Sequence, residues 1–334
     1  MTAASGSAPH HSDGESAQAP GPGRPGRQGA ATSWAEVVRL RTLPAAVAPV
    51  VLGTGAAIAL GEWSWVRALL AAGVALALQI GSNIANDYSD GVRGTDAERT
   101  GPPRLTASGA VAPRTVKLMA LACFALAGLL GLVLLAVSGQ WWMLVLGVAA
   151  VAAAWFYTGG SHPYGYMGLG EVFVFVFFGL MATAGTTYVQ AGSVPGWTWL
   201  AACGIGLIAC SLLMVNNLRD ITTDPAHGKR TLAVRLGEEG ARTAFVVLVG
   251  VPVVLGGTAL AWASRADGGG DLGPVTILVM LVSLVVLGWL ARRTTRTVVA
   301  RATGRALIPA LRDAGLFELA YGVLLAVALV LVVR

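Results

Sequence analysis

The sequence predicts an all-α integral membrane protein with nine transmembrane helices. Three observations carry that class. Hydrophobic residues fill 55% of the 334 positions and charged residues only 12%, with a mean hydropathy of +0.68; a soluble domain runs nearer 25% charged. Apolar stretches of bilayer-spanning length follow one another along the chain. The basic residues also separate by loop, as a membrane topology requires. An ordinary soluble enzyme is excluded, and so is collagen, because the 44 glycines keep no three-residue period. A net charge of +6 would suggest nucleic acid in a soluble protein, but the loop distribution accounts for it here and no nucleic-acid partner is expected. Cys123, Cys203 and Cys210 lie in apolar runs without C-x-x-C spacing, which argues against a disulfide framework or a zinc site.

Residues 1–32 are rich in Gly, Pro, Ser and Ala and contain no apolar core. Such a segment buries too little surface to offset chain entropy, so a disordered tail is expected ahead of a membrane domain over 33–334. Nothing before Trp34 resembles the apolar region of a secretory signal. Spans are expected near 43–60, 64–86, 115–137, 141–157, 168–190, 197–217, 241–263, 274–291 and 315–333. Pro49, Gly128, Gly179 and Pro252 fall inside them and are tolerable where neighbouring helices pack closely.

Orientation follows from charge. With the N-terminus in the cytoplasm, the tail carries Arg24, Arg27, Arg39 and Arg41, and the loop after span two carries Arg93, Arg99, Arg104, Arg114 and Lys117. The loop after span six carries Arg219, Lys229, Arg230, Arg235 and Arg242, and the loop after span eight carries Arg292, Arg293, Arg296, Arg301, Arg305 and Arg312. Of the 23 basic residues, only Arg67, Arg265 and Arg334 then lie outside. Adding or dropping one span would spoil this separation downstream.

Two of the inner ends also hold acidic clusters. GSNIANDYSDGVRGTD closes span two with Asn83, Asn86, Asp87, Asp90 and then Asp96; NNLRDITTD closes span six with Asn216, Asn217, Asp220 and Asp224. On a helix Asn83, Asp87 and Asp90 share a face, as do Asn216, Asp220 and Asp224. Carboxylates a turn apart repel unless a cation lies between them, and at a membrane boundary that cost marks a functional site. Hard oxygen ligands beside basic residues suit a phosphate ester bridged by Mg²⁺. At the end of an apolar bundle the ester would belong to an amphiphile. Solvated helix ends capped by Asn are the plain alternative, and a cation-coupled transporter is the rival from another class.

Asn83, Asp87, Asp90, Asp96, Asn216, Asp220 and Asp224 are therefore candidate metal ligands, with Asn86 and Asn217 either ligands or helix-end hydrogen bonders. Arg104 and Lys229 are the candidates for phosphate charge; Arg230 has that reading or a membrane-anchor reading, and Arg41, just before span one, either reaches the site or a substrate carboxylate or is an anchor. Tyr157, Tyr164 and Tyr166 are either interfacial belt residues or faces that stabilise a cation. Glu171, in GLGEVFVF, either binds substrate hydroxyls or carries a structural hydrogen bond. His162 is a general base or an exposed loop residue, and His227 is a minor phosphate contact. The basic stretch 292–312 reads as an interfacial helix over anionic lipid.

N-D-x-x-D in the first cluster and N-x-x-x-D-x-x-x-D in the second resemble the paired motifs of the UbiA-type intramembrane prenyltransferases, and the resemblance covers 34–334. RLRTLPAAVAPVVLGT, NDYSDGVRGTD, GPPRLTASG, YTGGSHPYGYMGLGE and GKRTLAVRLG are together similar to the 1,4-dihydroxy-2-naphthoate polyprenyltransferase branch. Asp96 follows Asp90 by six positions, a spacing less like the 4-hydroxybenzoate or haem branches. The resemblance implies a nine-helix bundle with Asp-rich cytoplasmic loops in a bacterial plasma membrane. It further implies Mg²⁺-dependent transfer of a chain from polyprenyl diphosphate to 1,4-dihydroxy-2-naphthoate, with loss of the carboxylate, giving demethylmenaquinone. Asp87, Asp90, Asp220, Asp224, Lys229 and Tyr157 would then be catalytic.

Overall fold

A computed structural model describes residues 39, 42–94, 105–106, 111–266 and 273–333. The expected tail over 1–32, and with it Arg41, Asp96 and Arg104, lies outside the described residues. Among the described residues nine α-helices stand where nine apolar stretches were expected: α1 Leu43–Ala59, α2 Trp65–Arg93, α3 Pro113–Ser138, α4 Leu144–Phe156, α5 Gly170–Ala191, α6 Gly196–Arg219, α7 Leu232–Ala263, α8 Pro274–Val299 and α9 Ile308–Val332. Seven, all except α1 and α4, are long and apolar enough to cross a membrane. Helix α1 has 17 residues, and α4 is lengthened by a 3₁₀ turn, Trp141–Met143.

Local chemistry sets the ends. The Ser64 side chain accepts the Arg67 N–H at the start of α2, and Pro113 and Pro274 occupy first turns where no N–H is needed. Gly94, with φ of 74°, closes α2 in the left-handed conformation that glycine adopts without penalty. Helix α2 thus runs past the expected residue 86, and its acidic cluster is helical instead of lying in a loop. Gly237, at φ 71°, kinks α7 near its start.

Helix α6 is central. Of its most apolar stretch 72% is buried, against 17% for α8. The main core gathers Leu52 of α1, Ile205, Ile208 and Met214 of α6, Phe245 and Leu260 of α7, Leu287 of α8, and Phe317, Leu325 and Leu329 of α9. Outward, α3 and α8 expose Leu126, Leu129, Leu278, Leu281 and Val285, a lipid-facing surface. Helices α5 and α6 approach at Gly179 and Gly206, where a Cβ on Gly179 would come within 2.4 Å of the Gly206 Cα. Beside this crossing α5 widens into a π-helical stretch, Phe175–Met181, of the kind often found at functional sites.

One core feature is unfavourable. Glu318 is fully buried in α9 with neither carboxyl oxygen hydrogen-bonded among the described residues, and the Tyr321 hydroxyl one turn on is likewise unpartnered. A buried polar group without a partner destabilises. Glu318→Met should therefore raise the melting temperature of the detergent-solubilised protein; a fall would mean that Glu318 has a polar partner in the membrane.

Candidate active site

The last turns of α2 carry Asn83, Asn86, Asp87 and Asp90 into one polar region. Asp87 and Asp90 are almost fully buried, and each carboxylate meets a cation. Asp87 pairs with Arg39, just before α1. Asp90 accepts the Lys229 ammonium at 3.2 Å and the Tyr166 hydroxyl at 2.5 Å. The Lys229 ammonium also sits 4.9 Å from the Tyr166 ring centroid, a cation–π contact. Asn86 accepts the Thr158 hydroxyl at 2.8 Å. Arg93 binds the carbonyls of Thr158 and Gly160 and also stands over the Tyr166 ring, 5.5 Å from its centroid.

The second motif differs from its expected helical face. Helix α6 ends at Arg219; Asp220 is its C-cap, and Asp224 opens a separate 3₁₀ turn, Asp224–His227. Pro225 disfavours helical geometry at Asp224, and Gly228, at φ 72°, reverses the chain. The Asp224 N–H then bonds the Asp220 carbonyl at 2.9 Å and the Lys229 N–H the Asp224 carbonyl at 3.0 Å. Asp220 takes a two-point contact from Arg219, at 2.9 and 2.5 Å. Asp224 has no side-chain partner of this kind among the described residues. Burial pushes its carboxyl up to about 7; Lys229 opposes the shift, and Asp220 and Asp90 add to it.

Both motifs border one cavity of about 400 Å³. Asn83, Asn86, Asp90, Tyr157, Tyr164, Asn216, Asn217, Asp220, Asp224, His227 and Lys229 line its polar part. Its other walls are apolar: Val50, Ala71, Leu78, Leu134, Met143, Phe177, Met181 and Val189 among them. It follows α2 from Asp90 to Ala71, about 28 Å at 1.5 Å per residue. Tyr157, Tyr164, Phe173 and Phe177 make a run of ring contacts along the wall, with centroids 5.5, 3.9 and 6.2 Å apart. The Tyr164 hydroxyl donates to the Ala153 carbonyl at 2.7 Å, and burial raises its phenol above the ordinary range.

Four expected candidates stand off the wall. Asp87 reaches it through Arg39. Glu171 reaches it through Asn217, whose amide donates to the Glu171 carboxylate at 3.3 Å. Arg230 is exposed and attaches by its backbone N–H to the Tyr166 carbonyl at 2.9 Å. His162 is exposed beside Ser161. Sequence reasoning missed Thr42 and Gln79 and treated Arg39 as a topogenic charge only; no spacing signal ties residues 39–42 to α2. It also underweighted Tyr166, whose link to Asp90 bridges 76 positions.

Among the described residues no three His, Cys, Asp or Glu side chains are grouped closely enough to cage a metal. The donor set nonetheless fits a hydrated Mg²⁺, which is held by one or two carboxylates together with waters and substrate phosphate oxygens. Asp224 and Asn216 face the cavity without a protein partner among the described residues, and Asp224 is a buried carboxyl that an added cation would stabilise.

A helical membrane bundle whose anion-handling end opens into a long apolar cavity defines an intramembrane site for an amphiphile. The chain belongs to the UbiA prenyltransferase family, whose profile matches residues 46–308. It is 46% identical to 1,4-dihydroxy-2-naphthoate octaprenyltransferase of Mycobacterium tuberculosis over 89% of this chain and 96% of that protein. It is 42% identical to the enzyme of that name from Escherichia coli, over 63% of this chain and 70% of that protein. Among solved structures, a UbiA homolog from Archaeoglobus fulgidus bound to DMAPP and Mg²⁺ superposes with a TM-score of 0.59 at 17% identity, covering 89% of this chain and 99% of that one. The apo UbiA homolog from Aeropyrum pernix gives 0.62 at 18%, covering 86% and 97%. These two share the fold.

If Lys229 and Asp90 are a buried pair, breaking it from either side leaves one charge uncompensated. Lys229→Met and Asp90→Asn should each lower the melting temperature, and the double variant should lose less than the sum of the two. Strictly additive losses would contradict the contact.

Proposed function

We propose that this chain transfers a polyprenyl group from polyprenyl diphosphate to 1,4-dihydroxy-2-naphthoate with loss of the carboxylate, yielding the demethylmenaquinone ring system in its reduced form. The observation that carries the reading is a cavity shared by both motifs, with carboxylates and Lys229 at one end and mostly apolar walls beyond it, which matches a diphosphate with a long isoprenoid tail. The name shared by relatives at 46% and 42% identity supports the acceptor. A transporter would place its carboxylates near the midplane, whereas Asp90, Asp220 and Asp224 gather at one end of the cavity.

In this reading the chain crosses the bilayer nine times. Helix α1 reaches about 26 Å at 1.5 Å per residue, close to the hydrocarbon thickness. The N-terminus and the polar end face the cytoplasm of a bacterial plasma membrane, the side that the basic loops favour.

Asp224 and Asn216 would hold a hydrated Mg²⁺ directly, with Asp90, Asp220 and Asn83 reaching it through water; in the sequence Asp96 belongs to the same motif as Asp90. Bound there, the ion supplies Lewis-acid stabilisation of the departing diphosphate. Lys229 binds the diphosphate as a point charge, and the exposed Arg230 adds to the local positive field. Tyr157 and Tyr164 present aromatic faces to the allylic carbon as positive charge develops on it. The apolar walls exclude water, which would otherwise capture that carbon as prenol. The ring carbon carrying the carboxylate attacks, the allylic C–O bond breaks with its electron pair leaving on diphosphate, and the carboxylate departs as CO₂ to restore the aromatic ring.

Purified protein in nanodiscs, given 1,4-dihydroxy-2-naphthoate and a polyprenyl diphosphate, should form prenylated product with Mg²⁺ and none with EDTA. Asp90→Asn, Asp220→Asn and Asp224→Asn should each lower turnover by about a hundredfold or more while remaining extractable as folded protein. Product only with 4-hydroxybenzoate would overturn the acceptor. Failure to release diphosphate from any donor would overturn the prenyl-transfer reading itself.

A further inference from the structure

The cavity has a second polar region that the diphosphate reading does not use. It lies where the chain enters α1 against the middle of α2, and Arg39, Thr42 and Gln79 border it. Arg39 has a left-handed backbone, φ 52°, unusual for a residue with a side chain and a mark of functional strain. Its carbonyl is held twice by Thr42, through the N–H at 2.7 Å and the hydroxyl at 3.0 Å, and its guanidinium is held by Asp87.

The Thr42 contact fixes the next residue. Because the hydroxyl proton goes to the Arg39 carbonyl, the oxygen lone pairs accept the amides of Gln79, at 3.1 Å, and Asn83, at 3.0 Å. The NH₂ end of Gln79 is therefore the end that faces Thr42. Its carbonyl oxygen is buried with no hydrogen-bond partner, on a side chain bordering the cavity and only 7% exposed. A buried acceptor without a donor is a costly arrangement, and a ligand hydroxyl would relieve it.

We infer that Arg39 and Gln79 bind the aromatic hydroxy-acid acceptor: the guanidinium takes its carboxylate, the Gln79 carbonyl oxygen accepts a ring hydroxyl, and Asp87 is the positioning residue that aims Arg39. This assignment rests on the prenyl-transfer reading. A planar guanidinium matches a carboxylate fork. Its pairing with Asp87 leaves N–H donors without net charge, which suits a singly charged carboxylate, while the more highly charged diphosphate has Lys229. Gln79 lies eleven positions before Asp90 on α2, about 16 Å along the axis, so the ring hydroxyl is held well away from the Lys229–Asp90 contact, while the carboxylate sits nearer to it, at Arg39 beside Asp87. Sharing the guanidinium with Asp87 also keeps the hold on the carboxylate modest, as suits a group that leaves as CO₂.

The test uses the full chain in nanodiscs with Mg²⁺, a polyprenyl diphosphate and two acceptors, 1,4-dihydroxy-2-naphthoate and 1,4-dihydroxynaphthalene, which lacks the carboxylate. Arg39→Gln should raise KM for the naphthoate about tenfold or more, leave KM for the diphosphate within about twofold, and abolish the preference for the acid over its analogue. Asp87→Asn should shift the acceptor KM in the same direction, with Asp87→Glu restoring it. Binding of unreactive 1-hydroxy-2-naphthoate, followed by tryptophan fluorescence, is the second readout. It should weaken in Arg39→Gln and in Gln79→Leu, and the latter keeps the test open if Arg39→Gln does not fold. A parallel rise in diphosphate KM, or unchanged acceptor KM and binding, overturns the inference. Wild-type protein that binds the naphthoate acid without prenylating it would count against the functional reading alone, and the variant binding data would still decide this one.

Discussion

The contact between Lys229 and Asp90 joins the two motifs across the cavity, and the arrangement of the site depends on it. One partner stands on α2 and the other follows the turn after α6, 139 positions later. Carboxylates at the end of an apolar cavity are tolerated only when cations compensate them. Arg39 does this for Asp87, Lys229 for Asp90 and Arg219 for Asp220. Asp224 is left with a carboxyl raised to about 7 by burial and by its acidic neighbours. The carboxylates of Asp87, Asp90 and Asp220 are thus each paired with a cation, and Asp224 is a position where added positive charge is favourable. In the proposed reading a metal–diphosphate complex would bring a cation for Asp224 and an anion for Lys229 together.

The rest of the bundle serves the cavity. Helix α6 is buried along most of its length and carries Asn216 and Asn217 to the polar end. Its close approach to α5 at Gly179 and Gly206 lets the π-helical stretch of α5 line the wall with Phe177, Phe178 and Met181. Helices α3 and α8 keep leucine and valine outward, so the lipid and the protein together exclude water from the reacting centre.

Much of this was legible in the sequence, for identifiable reasons. Apolar length placed the nine helices of the described residues, because the length of such stretches is set by the thickness of the bilayer. Asn83, Asp87 and Asp90 lie on α2 as their spacing required. Asn216, Asp220 and Asp224 did not share a helical face, because the helix stops at Arg219 ahead of Pro225; they meet through the fold instead. The partners of the acidic residues were not legible. Arg39 reaches Asp87 across 48 positions and Tyr166 reaches Asp90 across 76, and periodicity does not encode such pairings. Asp96, Arg104 and Arg41 fall outside the described residues.

The most direct test of the central claim is an experimental structure of the protein with Mn²⁺ and an unreactive polyprenyl thiodiphosphate, with the metal located by anomalous scattering. The account requires the metal and the diphosphate between Asp90, Asp224 and Lys229, with the chain running along α2 toward Ala71 and Met143. A metal away from both motifs, or a chain outside this cavity, would contradict it.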